Sequence, residues 1–176
     1  GIAKPVISSY LPVYNPADDP GARQQVPLKM VFFNRERGLL FRLKSRKIDS
    51  WQSMPSPVPA HLISLHFLFA EGSFNQEIEM DPSIYFFADE IAISLRAYTS
   101  GYDLFHPHRI IGWHQYNRAG TRIPHWIDHP EWKQQMEYAY NQLSELFFFL
   151  YTFFNRLVSP AACSPISVND FFFSKW

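Results

Sequence analysis

The strongest constraint on this chain's fold is a change of period at Asp89. Residues 84–87 form a short apolar, strand-like run entered through a turn at Asp81-Pro82. Beyond it, Ile91, Leu95 and Tyr98 recur at i, i+4 and i+7, the spacing of one helical face, and Gly101 supplies a natural stop. Residues 102–105 and 109–113 then read as strands separated by His106-Pro107-His108. The junction itself carries the acidic pair Asp89-Glu90. Asp89 can cap the helix while Glu90 complements its positive end. Equally, one carboxylate can face a cleft at the strand's carboxyl end, there to hold or deprotonate an acceptor hydroxyl or to steady a cationic, sugar-like transition state. The two readings are compatible.

Elsewhere the local signals are shorter. Residues 1–27 are proline-rich and read as a strand leading into a loop through residues 15–21. Residues 27–33 and 38–43 look like strands around a polar turn, with a third near 47–51. Pro55, Pro57 and Pro59 enforce an extended connection, because each biases its predecessor away from helix. Residues 63–70 are apolar at nearly every position, which suits a strand covered on both faces. Residues 73–77 suggest one helical turn, and residues 130–154 a longer helix with Trp132, Met136 and Tyr140 on one face.

At 176 residues the chain is one domain's worth, and 47% hydrophobic content argues for a packed core. Lys+Arg and Asp+Glu balance at 16 each, which speaks against a nucleic-acid or anionic-membrane partner. The single cysteine, Cys163, excludes an intrachain disulfide framework and a cysteine zinc module, and fits a reducing, cytoplasmic setting. Residues 146–154 are intensely apolar but fall short of the roughly 18–20 residues that span a bilayer, so no transmembrane segment is expected. The first residues lack both an apolar leader and an initiator methionine, and the chain reads as part of something longer.

His106, His108, His114, His125 and His129 fall within one short stretch. Imidazole ligates metals, and alternate strand residues share a face, so His106 and His108 can point together. The bland reading is a set of hydrogen-bonded structural histidines, since no HExxH or Cys/His ladder accompanies them. Arg96, Arg109, Arg118 and Arg122 can pair with a diphosphate or simply with surface carboxylates. Asp18-Asp19 resembles half of a DxD metal motif but sits in a Pro/Gly loop, where a turn is the simpler role.

Four blocks carry a family resemblance: KPVISSYLPVYNPADDP, VPAHLISLHFLFAEGSF, EIEMDPSIYFFADEIAISLRAYTSGYDLFHPHRIIGWHQYNR and HWIDHPEW. They resemble the GlcNAc-type glycosyltransferases, a family that includes hydroxyproline N-acetylglucosaminyltransferases acting on a ubiquitin-ligase adaptor. The likeness runs from Lys4 to Trp132 and fades beyond, where the phenylalanine-rich residues 146–176 look foreign to the family. It implies the C-terminal half of a GT-A-like, Rossmann-like α/β domain over residues 1–145, a mixed sheet with flanking helices. It also implies a UDP-sugar donor and a divalent metal, manganese or magnesium, holding the diphosphate.

The family's F-G-E-E-I segment aligns with Phe87-Ala88-Asp89-Glu90-Ile91, which makes Asp89 and Glu90 the expected acceptor-side carboxylates. Its W-H-x-Y segment aligns with Trp113-His114-Gln115-Tyr116, and His114 resembles a late metal ligand. His66, His106, His108 and Arg109 are the further cleft residues expected. Three departures matter. The family's DxD aspartates lie upstream of everything here, Ala88-Asp89 replaces Gly-Glu, and His66 stands where relatives have a small residue beside the sugar nucleotide.

The expectation is therefore transfer of a sugar, N-acetylglucosamine, from a UDP donor to a hydroxyl on a protein or glycan, with little or no turnover by these residues alone. The rival expectations are a non-catalytic remnant that keeps the fold, and a stand-alone histidine metal module.

Overall fold

A computed structural model describes residues 4–36, 40–116 and 123–158. Its six strands are β1 (Pro5–Ser8), β2 (Leu28–Glu36), β3 (Leu40–Lys47), β4 (Val58–Pro59), β5 (Leu68–Phe69) and β6 (Asp103–His106). Its helices are α1 (Phe74–Glu77), α2 (Phe87–Thr99), α3 (His125–Asp128) and α4 (Trp132–Val158). The architecture is mixed α/β. A four-stranded sheet runs β4-β6-β1-β5, with β1 and β6 parallel and both edge strands antiparallel to their neighbours. The hairpin β2–β3 forms a separate two-stranded sheet.

Alternation builds the sheet. Val6 and Ser8 on β1, and Leu104 and His106 on β6, all point inward and are buried. Against them pack Ile63, Phe74, Ile78 and, from α2, Ile93 and Ala97. A second cluster joins Ala88, Ile91, Ala92 and Leu95 of α2 to Ala139 and Leu143 of α4. Helix α2 thus carries two apolar stripes: one at positions 88, 91, 92 and 95 toward α4, another through 93 and 97 toward the sheet. Glu90 and Ser94 extend this second stripe by the same i, i+3, i+4 logic. Their helical position aims them at the loop covering the sheet. Gly101, at φ 81, closes the helix in the left-handed conformation expected of it.

Several local expectations change. Residues 63–70 do not form one covered strand; only Leu68 and Phe69 pair, with Ser8 and Ile7. The reason is that three consecutive backbone donors are taken by side chains instead of a neighbouring strand. Ile63 N–H donates to Ser94 Oγ (2.7 Å), Ser64 N–H to Ser8 Oγ (3.1 Å) and Leu65 N–H to Glu90 Oε1 (2.9 Å). Residues 84–86 are likewise a turn rather than a strand, ending at Phe86 with φ 57, and Phe87 already belongs to α2. Residues 109–113 are irregular, and the segment is tied down by one parallel bridge, Val13 to His114. Beyond Lys47 a 3-10 turn, Trp51–Ser53, replaces the third strand expected there.

Helix α4 runs through position 145, and residues 159–176 lie outside the described residues. No helix among the described residues is long and apolar enough to cross a membrane.

Candidate active site

Glu90 is the anchor of the site. It projects from the first turn of α2, and its Oε1 accepts from Leu65 N–H at 2.9 Å and from Ser64 Oγ at 3.5 Å. Burial dominates its ionisation and raises its pKa to about 7; the Leu65 hydrogen bond opposes this and the neighbouring Asp89 charge adds to it. The carboxyl group is therefore balanced between its two protonation states near neutrality.

The loop that Glu90 holds delivers His66. Its ring stacks on that of His114, with centroids 4.8 Å apart and planes at 10°. Tyr116 stands edge-on to both, 4.5 Å from His114 and 5.5 Å from His66, and Tyr10 closes the group 4.6 Å from His66. Backbone bonds fix this wall: His114 N–H donates to Pro12 O at 2.8 Å, and Tyr14 N–H to His114 O at 3.1 Å. Trp113, the neighbour of His114, donates its indole N–H to Gln24 O and lies beside the Arg23 guanidinium, which also covers Tyr14.

The proton inventory of the wall follows from distances. Tyr116 Oη donates to Leu11 O at 2.9 Å, and its longer contact, 3.3 Å, is to His66 Nδ1. A phenol has one proton, and the shorter contact takes it. His66 Nδ1–H then donates to Tyr116 Oη, leaving Nε2 with the lone pair. Burial, reinforced by His114, lowers the His66 pKa to about 4, so the ring is neutral at physiological pH. Burial chiefly, then the contact with Tyr10 and the Glu90 charge, raises the Tyr116 phenol above its usual range. That last influence ties Glu90 electrostatically to the aromatic wall.

Other expected site residues lie elsewhere. Asp89, adjacent in sequence, is turned by the helix onto a different face, where Asp81, Ile84 and Arg96 line a cavity of about 10 Å³. Burial raises its pKa to about 6. Asp89 does not cap the helix with its side chain, because the cap position is Phe86, which makes no side-chain cap bond. His106 is a core residue, 1% exposed. Its Nε2 accepts from Met30 N–H at 3.2 Å and its Nδ1–H donates to Ser8 O at 2.8 Å, so both nitrogens are used structurally. It does not point together with His108 into a cleft.

His108 is partly buried, with its Nδ1 enclosed and lacking a hydrogen-bond partner among the described residues. Arg109 is exposed. Asp19 accepts from Gly21 N–H at 2.9 Å, the turn role read from its loop. Arg96 bonds Asp81 and Glu79 O, while Arg118 and Arg122 lie outside the described residues.

The residues present do not assemble a metal site by themselves. Among the described residues no group of three or more His, Cys, Asp or Glu side chains is placed to hold an ion. The near-parallel His66–His114 stack does not chelate one either, since an imidazole binds metal in its own ring plane.

Sequence reasoning passed over Tyr10, Ser64 and Ser94. Nothing in their spacing marks them; only the fold brings a serine hydroxyl under Ile63. Tyr116 was within the quoted W-H-x-Y segment, yet its role as the hydrogen-bonded hub of the wall comes from geometry.

The comparisons with known proteins meet this picture at family level. No curated protein and no solved structure matches the chain. The family model described as Glycosyltransferase (GlcNAc) matches residues 1–153, continuing well beyond Trp132, where the likeness was expected to fade. By that match the chain belongs to the GlcNAc glycosyltransferase family.

Proposed function

We propose that this protein transfers N-acetylglucosamine from a UDP donor to a hydroxyl acceptor within a GT-A-type domain, and that Glu90 receives the acceptor's proton. The observation that carries the reading is a half-buried carboxyl whose Oε1 is held by Leu65 N–H and Ser64 Oγ against the loop that positions His66 and His114, its pKa raised by burial to about 7. A general base works best when its pKa lies near the working pH.

Oε1 of Glu90 is occupied by Leu65 and Ser64, which orients the group and leaves Oε2 for the acceptor. As the acceptor oxygen bonds to the sugar's anomeric carbon, its proton passes to Oε2. The bond from that carbon to the diphosphate breaks, and its electron pair leaves with UDP. His66 Nε2 is an acceptor under the tautomer above and would receive a second hydroxyl hydrogen bond. The flanking tyrosines offer flat apolar surface for a sugar ring. Asp89, on its separate face, adds its charge to the burial that raises the Glu90 pKa.

A divalent ion, manganese or magnesium, would supply charge stabilisation for the departing diphosphate. By the family likeness His114 would be one of its ligands, although the described residues around it do not complete a metal site.

The test is sugar transfer from UDP-GlcNAc under single-turnover conditions with protein in excess, comparing the native chain with E90Q. Product from the native chain that falls at least a hundredfold in E90Q supports the proposal. Equal rates overturn it. The rival reading, a family fold without turnover, draws on the His66–His114 stack, which covers one face of the imidazole; it would be favoured by an absence of product.

A further inference from the structure

The β2–β3 hairpin forms a sheet of its own, and the His106 ring on β6 joins it to the four-stranded one. Its Nδ1 lies 2.8 Å from Ser8 O on β1, and its Nε2 lies 3.2 Å from Met30 N on β2. A carbonyl accepts and a backbone N–H donates, so one form of the ring meets both contacts: neutral, with hydrogen on Nδ1 and the lone pair on Nε2. A second proton has one place to go, Nε2, where it would set one N–H against another. Acid therefore breaks the bond to the hairpin and leaves the bond to β1 intact.

The joint around this bond is thinly packed. Met30 stands opposite Ser45 in the hairpin's register, and both line a cavity of about 650 Å³ together with His61 and Leu62 from the connection after β4. Atoms that border such a space lose dispersion contacts on that side. The charges at the joint act in the same direction. Lys29 on β2 and His61 are the ionisable groups that bear on the His106 ring, and each is cationic when protonated. A proton on His106 therefore meets the Lys29 ammonium across the joint. Burial chiefly, joined by Lys29 and His61 and opposed by the Ser8 carbonyl, holds the His106 pKa below 6.5.

We propose that His106 is an acid-released latch: a proton on Nε2 frees Met30 N–H and separates the β2–β3 hairpin from the four-stranded sheet, which itself stays folded. The latch is closed above pH 6.5 and opens as pH falls below it. Opening uncovers Met30 and Leu62, both buried in the closed form. The partly buried contact of Leu43 with the second core cluster is given up at the same time. The inference goes beyond the transfer reading and does not depend on Glu90.

Amide hydrogen exchange followed by NMR on the full chain decides it, with rates corrected for the intrinsic effect of pH on exchange. Between pH 7 and pH 5 the protection of Met30 N–H should fall at least tenfold, while that of Ile7 on β1 and Phe105 on β6 changes less than threefold. The ring nitrogen shifts of His106 should report the neutral Nδ1–H form at pH 7 and lose it with the same midpoint as the Met30 protection. In H106Q the amide oxygen can still accept from Met30 N–H but cannot titrate, so the fall should shrink to less than twofold. K29Q removes the ammonium facing the ring and should move the opening midpoint to higher pH. That shift is read without H106Q and decides the matter if H106Q does not fold. Equal loss of protection in Ile7 and Phe105, no loss at Met30, a loss that survives in H106Q, or an unmoved midpoint in K29Q would overturn the proposal.

Discussion

Replacing Glu90 by glutamine should make the protein more stable at pH 8 while removing its activity. The amide oxygen can still accept from Leu65 N–H and Ser64 Oγ, so the loop stays held and only the half-buried charge disappears. Folding raises the Glu90 pKa from 4.5 to about 7. For this group, stability is fully present below pH 4.5 and is lost as pH rises through about 7. A shift of about 2.5 units, at about 1.4 kcal/mol per unit, amounts to roughly 3 kcal/mol. E90Q should thus gain about 3 kcal/mol over the native chain at pH 8 and almost nothing at pH 4.5, which is about 6–12 °C in melting temperature for a chain this size. Asp89 is present in both proteins, so its own titration largely cancels. Urea unfolding of both proteins at the two pH values measures the difference, and transfer should fall about 10²- to 10⁴-fold in parallel. A loss of stability at pH 8, or the same difference at both pH values, would refute the reasoning.

Three further outcomes follow from the loop and its wall. Ser94→Ala strips the acceptor from buried Ile63 N–H and should cost about 1–3 kcal/mol in chemical denaturation, with a smaller loss of transfer than E90Q. Tyr116→Phe removes the bonds to Leu11 O and His66; it should cost about 1 kcal/mol and free the His66 tautomer, visible as changed ring nitrogen shifts. His106→Ala should destabilise by about 3 kcal/mol, measured by urea unfolding, because it leaves Met30 N–H and Ser8 O unpaired in the core. Burial holds the His106 and His66 pKa values below 6.5, so both groups should cost stability as pH falls below 6.5. That acid loss should be steeper in E90Q, whose opposing Glu90 contribution is gone.

The elements with regular period were legible in the sequence, and those held by side chains were not. Helix α2 follows from the spacing of Ile91 and Leu95 and from Gly101, and β6 from its alternation. Residues 63–70 misled because an unbroken apolar run gives no sign that its N–H groups will meet Ser94, Ser8 and Glu90. The acidic pair was visible as a pair, but a helix turns consecutive residues about 100° apart, and only the packing of α2 shows that Glu90 faces the loop. Likewise the histidine-rich stretch does not reveal that His106 is a core strut while His114 meets His66, nearly fifty positions upstream.

The pH dependence of single-turnover sugar transfer tests the account most directly. The native protein should lose rate on the acid side with a midpoint near pH 7, where the Glu90 carboxyl takes up its proton, and the residual rate of E90Q should show no such limb. A native profile whose acid limb lies near the ordinary glutamate value, or a limb near 7 that survives in E90Q, would contradict the assignment of Glu90 as the base.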